Sequence, residues 1–291
     1  MPTSYSPSQN YRTADNGDVQ SVVTLDCGGG SMPDIVVGTK SATAGQGSVE
    51  VWLNNDAVTP TFTRDEIYNT AGAALMGEVT GMALADLDND GDKDLVVVTH
   101  TADYSGQIIT YENRGRTTGN RFVQRGVITF STEAPTAVAL LDANGDGWRD
   151  IFVGTQRSTS QGRVWQAKNS GPLTPWVFSF VQKVDPGGIV QSLCEEDLGG
   201  GGRDDLAVGY RTSTAGFGGG VRIFYTDLGI IQNNGGVDPS GGSVINMVPA
   251  LAGANFNYGT NTTSPPYPYT NDLAAGVKIT STTGALVVFV R

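Results

Sequence analysis

Charge is scarce in this 291-residue chain: charged residues make up 16%, against roughly a quarter in an ordinary soluble domain. Serine, threonine, asparagine, glutamine and glycine must therefore cover much of the surface. The charge present leans acidic, with 29 acids against 18 bases and a net −11. That field repels phosphate backbones and anionic lipid, which disfavours nucleic acid and membrane surfaces as partners unless charge is locally segregated. Histidine occurs once, at His100, so a His pair, a catalytic triad or a multi-His metal centre has no material to be built from. Cysteine occurs twice, at Cys27 and Cys194, too few for a disulfide framework. The two either close one bridge or, on the plainer reading, are buried or half-buried thiols. No apolar run approaches the ~20 residues of a membrane span. The opening MPTSYSPSQN has neither the basic nor the apolar region of a secretory leader. That leaves a mature chain, an excised domain or a cytosolic protein. No Gly-x-Ser-x-Gly elbow, phosphate loop or zinc motif occurs, and GFGGG at 216–220 lies between two strand-like runs with no helix behind it.

Glycine, by contrast, is abundant: 40 residues, beside 38% hydrophobic residues, a globular composition. Many of these glycines mark an internal repeat. An aspartate opens a β-type apolar run at Asp34-IVVG, Asp94-LVVV, Asp150-IFVG, Asp205-LAVG and Asp272-LAAG. At the far end of these runs stand Lys40, His100, Gln156, Arg211 and Lys278. A Ser/Thr/Gly segment then reaches Gly47, Gly106, Gly162, Gly220 or Gly284, and a second β-rich run follows: SVEVWL, QIITYE, RVWQAK, VRIFYT and ALVVFV. The units start near 26, 86, 142, 197 and 255, a period of about 57 residues that fills the chain without a linker, so residues 1–291 read as one domain.

Each unit reads as β throughout: a strand before the acidic turn, one after it, one after the glycine, and a less regular fourth (TFTRDEIY, FVQRGVITF, WVFSFVQKV). Four short antiparallel strands repeated radially describe an all-β fold, the β-propeller, here with five blades. The last unit stops at its third strand. The N-terminal segment around PSQNYRTA is expected to supply the missing fourth strand and close the ring. Trp52, Tyr111, Tyr225 and Phe289 share one strand-three position, where blade-on-blade contact explains them better than a sugar platform does.

The turns carry the chemistry. In unit two, Asp86, Asp88, Asp90, Asp92 and Asp94 alternate over nine residues; in unit three, Asp142, Asn144, Asp146, Trp148 and Asp150 hold the same places. Both fit D-x-[DN]-x-D-G-x-x-D, with Asp92 and Trp148 placed to offer backbone carbonyls. Five carboxylates so close repel one another unless a cation sits among them. Hard, all-oxygen coordination selects calcium over zinc or copper. An EF-hand is excluded: its twelfth-position glutamate is replaced by Val97 or Val153, and the flanks are strands. Units one and four keep only the first and last aspartates (Asp26 and Asp34, Asp197 and Asp205) and are expected to hold no tight metal. Unit five offers neutral Asn255 and Asn257, followed by the Pro-rich SPPYPY.

On these two acidic turns, each followed by DLVVV or DIFVG, the chain resembles the FG-GAP or VCBS repeats of integrin-α-type β-propellers. The resemblance covers all five units, although the literal FG and GAP signatures are missing. It implies calcium in the turn between a blade's first and second strands, two such sites here, and an extracellular or cell-surface setting. Calcium affinities of extracellular modules, roughly 10⁻⁴ to 10⁻³ M, suit that setting.

The other face of the disc carries Lys40, His100, Gln156, Arg211 and Lys278. Cations gathered on one rim of an acidic protein suggest an anionic ligand, an acidic glycan or a partner's carboxylate; ordinary solvated loop residues are the plainer reading. Asn261-Thr-Thr263 fits a glycosylation acceptor. The expected function is a non-catalytic adhesion, ligand-binding or assembly module with a protein or glycan partner. The alternative is a polysaccharide-active hydrolase or lyase with its site on this loop face, which needs a pocket holding two convergent carboxylates or a Tyr/Arg pair.

Overall fold

Apolar runs that continue on both sides of a turn form strands covered on both faces. The computed structural model describes residues 10–14, 16–72, 74–101, 104–115, 120–198, 203–214, 218–226, 232–237, 247–254, 272–278 and 284–289, and these form strands with no helix among them. The first antiparallel sheet runs β1 (Asp18–Leu25), β2 (Asp34–Lys40), β3 (Val49–Asn54), β4 (Phe62–Tyr68). A small hairpin, β5 (Thr70–Ala71) and β6 (Ala74–Leu75), leads into the second sheet of β7 (Glu78–Ala85), β8 (Asp94–His100), β9 (Gly106–Asn113) and β10 (Phe122–Phe130). The third holds β11 (Ala134–Leu141), β12 (Asp150–Gln156), β13 (Val164–Asn169) and β14 (Phe178–Val184). The fourth holds β15 (Ile189–Glu196), β16 (Asp205–Arg211), β17 (Gly219–Tyr225) and β18 (Gln232–Val237). The fifth shows three strands, β19 (Met247–Ala254), β20 (Asp272–Lys278) and β21 (Gly284–Phe289).

The repeat is exact in register. The residue closing each first strand pairs with the aspartate opening the second: Leu25 with Asp34, Ala85 with Asp94, Leu141 with Asp150, Glu196 with Asp205, Ala254 with Asp272. Every first strand also carries a bulge near its start, around Gln20, Thr80, Thr136 and Gln191 and between Met247 and Ala250. Such a bulge bends the strand and increases its twist. First strands touch in sequence, β1 to β7, β7 to β11, β11 to β15 and β15 to β19, so the sheets follow one another face to face. Buried Val36, Val51, Val79, Leu95, Ile109 and Phe152, Val190, Val208, Phe224 fill the spaces between them.

Two glycines of the apolar motif explain the fit. A Cβ at Gly38 would meet Val79 Cγ1 of the next sheet at 2.5 Å, and one at Gly154 would overlap Val190. The glycine is a socket for the neighbour's valine. A second glycine set, Gly47, Gly106, Gly162 and Gly219, lies against the carbonyl oxygens of Thr39, Thr99, Thr155 and Tyr210, leaving no room for any side chain. This corrects the sequence register of unit four: Gly219, not Gly220, takes the repeat position, and GFGGG gave no means of choosing between them. The strand-three aromatic shifts with it. Phe224, opposite Leu206, matches Trp52 opposite Ile35 and Tyr111 opposite Leu95, while Tyr225 falls on the next residue. Trp52, Tyr111 and Phe224 are buried, as blade contacts rather than an exposed platform.

One further expectation meets the structure differently. Residues 10–14, part of the segment expected to complete the fifth sheet, form no strand and lie on the first sheet. Tyr11 stacks edge-on to Trp52 and Phe62, and the Ala14 amide donates to Glu50 at 2.7 Å. Residues 1–9 lie outside the described residues, as do Asn255, Asn257, SPPYPY and Asn261. Cys27 and Cys194 are both free thiols. Cys27 is buried and directs its thiol at Asp34 Oδ2, 3.4 Å away. Burial and then Asp34 push that thiol far above its ordinary value, so it stays protonated and inert.

Candidate metal centre

The last aspartate of every described turn has a structural task. Asp34, Asp94, Asp150 and Asp205 are buried at the start of their strands. Their Oδ1 atoms accept the backbone amide at the end of strand three, from Asn54 (2.8 Å), Asn113 (2.9 Å), Asn169 (2.9 Å) and Thr226 (3.0 Å). Their Oδ2 atoms accept the turn amides of Cys27, Leu87 and Leu198, or the Gln166 side chain in the third sheet. The partner answers: Asn54, Asn113 and Asn169 side chains, and the Thr226 hydroxyl, donate to the carbonyls of Pro33, Lys93, Arg149 and Asp204. This two-way clasp recurs in units one and four, where no metal pattern exists, so the aspartate is kept for the backbone as well as for any ion. Sequence reading missed its other half. The signal was an Asn or Thr recurring 19 to 21 residues beyond each aspartate.

The asparagines also tie neighbouring sheets. Asn113 Nδ2 reaches the Asp26 carbonyl of the first sheet at 3.3 Å, and Asn169 Nδ2 reaches the Leu87 carbonyl of the second at 3.0 Å. Asn89, at the tip of the second turn, donates to the Gly147 carbonyl of the third.

The second turn folds around its first acid. Asp86 accepts the amides of Asp90 and Gly91, and Asp90 accepts that of Asp92. Asn89 and Gly91 take positive φ (58° and 102°) to complete the reversal. One carboxylate oxygen each from Asp86, Asp88 and Asp94 converges within 4.8 Å, the one such acidic grouping among the described residues. Asp90 and Asp92 lie on the exposed limb beside it. Burial pushes the Asp88 carboxyl up, and Asp90, Asp86 and Glu112 add to the effect. Burial likewise raises Asp94 to about 7 and Asp150 to about 6. Crowded carboxylates that resist ionisation, with oxygen donors alone, fit a hard divalent cation such as calcium.

The third turn repeats the backbone path. Asp142 accepts the amides of Gly145, Asp146 and Gly147, and Asp146 accepts that of Trp148. No three acids converge there as in the second turn, because Asn144 stands at the place of Asp88; Asp146 Oδ2 is held by Asn144 Nδ2 (2.9 Å) and Lys168 Nζ (3.4 Å). In the first turn the Asp56 carboxylate accepts the Ser31 and Met32 amides where the other turns place their own acids. Gly199 to Gly202 of the fourth lie outside the described residues.

Lys40, His100, Gln156, Arg211 and Lys278 all end a second strand, at the pole opposite the acidic turns. Carboxylates interleave with them. Glu78 takes Lys40 at 3.1 Å and faces His100 Nδ1 at 3.8 Å; buried Glu133 accepts Arg163, Thr155 and Trp165 and sits 4.0 Å from Arg157. Gln156 donates to the Ser158 carbonyl. Arg211 has a buried Nε with no hydrogen-bond partner. The rim is therefore a belt of mixed charge. At the acidic pole an open cleft of about 490 Å³ lies beside the third turn, lined by Asp146, Trp148, Lys168, Asn169, Pro172 and Val181 among others.

Residues 86–153, from the second turn into β12, match the family model of the FG-GAP-like repeat. No curated protein matches the sequence of the chain. Among solved structures, Sqt1 from Chaetomium thermophilum, a β-propeller protein, superposes with a TM-score of 0.54 at 13% identity, covering 94% of this chain and 70% of that one. A structure of Chaetomium thermophilum Sqt1 bound to the N-terminus of the ribosomal protein L10 gives a TM-score of 0.47 at 13% identity, covering 92% of this chain and 71% of that one. The likeness to the first is one of fold, that of a β-propeller.

Proposed function

We propose that this FG-GAP-repeat propeller is a calcium-stabilised, non-catalytic binding module, one domain of five blades over residues 1–291, working outside the cell or at its surface on a protein or glycan partner. The observation that carries the calcium reading is the convergence of Asp86, Asp88 and Asp94 oxygens within 4.8 Å in a turn whose backbone path recurs in the next sheet. Calcium there would be held by Asp86, Asp88, Asp90 and Asp94 with the Asp92 carbonyl, and in the third turn by Asp142, Asn144, Asp146 and Asp150 with the Trp148 carbonyl. Its contribution is neutralisation of clustered acids at the hairpin joining two inner strands, which couples metal binding to folding. In an extracellular setting, millimolar calcium would fill a site of the affinity typical of such modules.

The binding reading is preferred to a hydrolase or lyase because the described loop-face acids Glu78 and Glu133 are engaged, Glu78 by Lys40 and Glu133 by Arg163, Thr155 and Trp165, rather than standing as a free acid and base. An anionic ligand would approach the opposite rim at Arg211. Chelation is the direct test: removing calcium should lower the melting temperature, and Asp88→Ala should abolish part of that shift. An unchanged melting curve on chelation overturns the calcium role. A protein and glycan binding screen with and without calcium then separates the partner classes.

A further inference from the structure

The two acidic turns share a pattern and a backbone path but not an electrical environment. The second holds five carboxylates, and no ion pair reaches Asp86, Asp88, Asp90, Asp92 or Asp94 among the described residues. The third holds three, and cations close on it. Lys168 Nζ lies 3.4 Å from Asp146 Oδ2. The Arg203 guanidinium lies over Gly145, where a Cβ would stand 2.6 Å from its terminal nitrogen. Two places of the turn itself differ, Asn144 for Asp88 and Trp148 for Asp92, and so does one strand-three position, immediately before the clasp asparagine: Glu112 precedes Asn113 in β9, and Lys168 precedes Asn169 in β13.

We infer that Lys168 is a built-in counter-ion of the third turn, which makes that turn the weaker of two calcium sites and fixes an order of filling, second turn first. The inference rests on the calcium reading above. Both Asp146 oxygens are engaged: Oδ1 accepts the Trp148 amide at 3.0 Å, and Oδ2 takes Lys168 and Asn144. A divalent ion must displace the ammonium before Asp146 can ligate it, and the released charge still repels the ion nearby. Displacement is feasible, because the Lys168 side chain is 43% exposed and stands at the edge of the open cleft. Its long stem can swing away without disturbing β13. The third turn therefore fills at calcium levels where the second is already occupied.

Calcium titration calorimetry on the full chain tests this, with melting curves as the fold control. The wild type should show two binding events at least tenfold apart in Kd. Asp88→Ala should remove the tighter event. In that background Lys168→Gln, a change at a half-exposed site, should tighten the remaining event about tenfold. If Asp88→Ala removes the weaker event, or Lys168→Gln leaves the Kd unchanged, the inference fails while calcium binding stands. If the chain binds no calcium at all, the calcium reading falls and this inference falls with it.

Discussion

Asp205 isolates the role of the buried aspartate from that of the ion. It sits in a turn with glycines at the third and fifth positions, yet accepts the Leu198 and Thr226 amides as Asp94 accepts those of Leu87 and Asn113. Asp205→Ala strands two buried donors, and each unsatisfied amide costs about 1–3 kcal/mol. A stability loss of about 3 kcal/mol by urea titration is expected, equal with and without chelator; a loss seen only with calcium present would reassign the residue to a metal role. Asp94 and Asp150 predict the pH response. Their folded-state values, about 7 and about 6, lie above those of an unfolded aspartate. The folded state thus binds more protons than the unfolded state between pH ~4 and ~7, and stability falls as pH rises through that window. In chelator, the melting temperature should drop between pH 5 and 7.5, and calcium should offset the drop by neutralising the same carboxylates. A metal-free melting temperature that climbs over that interval would contradict these shifts.

At the scale of elements, the socket and its valine can be tested as a pair. Gly154→Ala drives a methyl into Val190 and should cost about 1–3 kcal/mol, the range for an overpacked core. Val190→Ala opens a cavity on its own. The double variant should be more stable than the sum of the two losses predicts, a coupling of at least 0.5 kcal/mol; strict additivity would show that the two sites do not touch. Much at this scale was legible beforehand. The aspartates that open β2, β8, β12, β16 and β20 were placed to the residue, because an acid beside a run of Val, Ile and Leu marks a turn-to-strand boundary. The fourth strands TFTRDEIY, FVQRGVITF and WVFSFVQKV also sit where patterning put them. Three consecutive glycines erased the register of β17, since position is read from side chains and glycine has none. The clasp asparagines recur at a fixed distance from the aspartates, but that spacing alone does not tell what they bind. Their side-chain partners are backbone carbonyls, which residue identity does not name.

For the whole molecule, the row of inner strands from β1 to β19 implies that sheets melt together, since each first strand is packed on the next. Scanning calorimetry should give one transition with matching calorimetric and van't Hoff enthalpies, shifted as a unit by calcium; two resolved transitions would divide the chain into separate folding units. The acidic turns were read in advance as equals, because their side chains follow one pattern. Part of their inequality stands in the turn, where Asn144 and Trp148 replace Asp88 and Asp92; the rest comes from Lys168 in β13 and Arg203 ahead of β16, which could not be read from the turn itself. The reach of Asn113 and Asn169 into the preceding sheet has a consequence for ancestry. Their acceptors are the main-chain oxygens of Asp26 and Leu87, a feature any residue supplies. A duplicated unit therefore brings its own half of the junction and finds the other half ready in whatever lies before it. An array joined this way can lengthen, shorten or let one copy lose its acids without a matching change next door, which is how a turn of bare glycines comes to stand beside one crowded with aspartate.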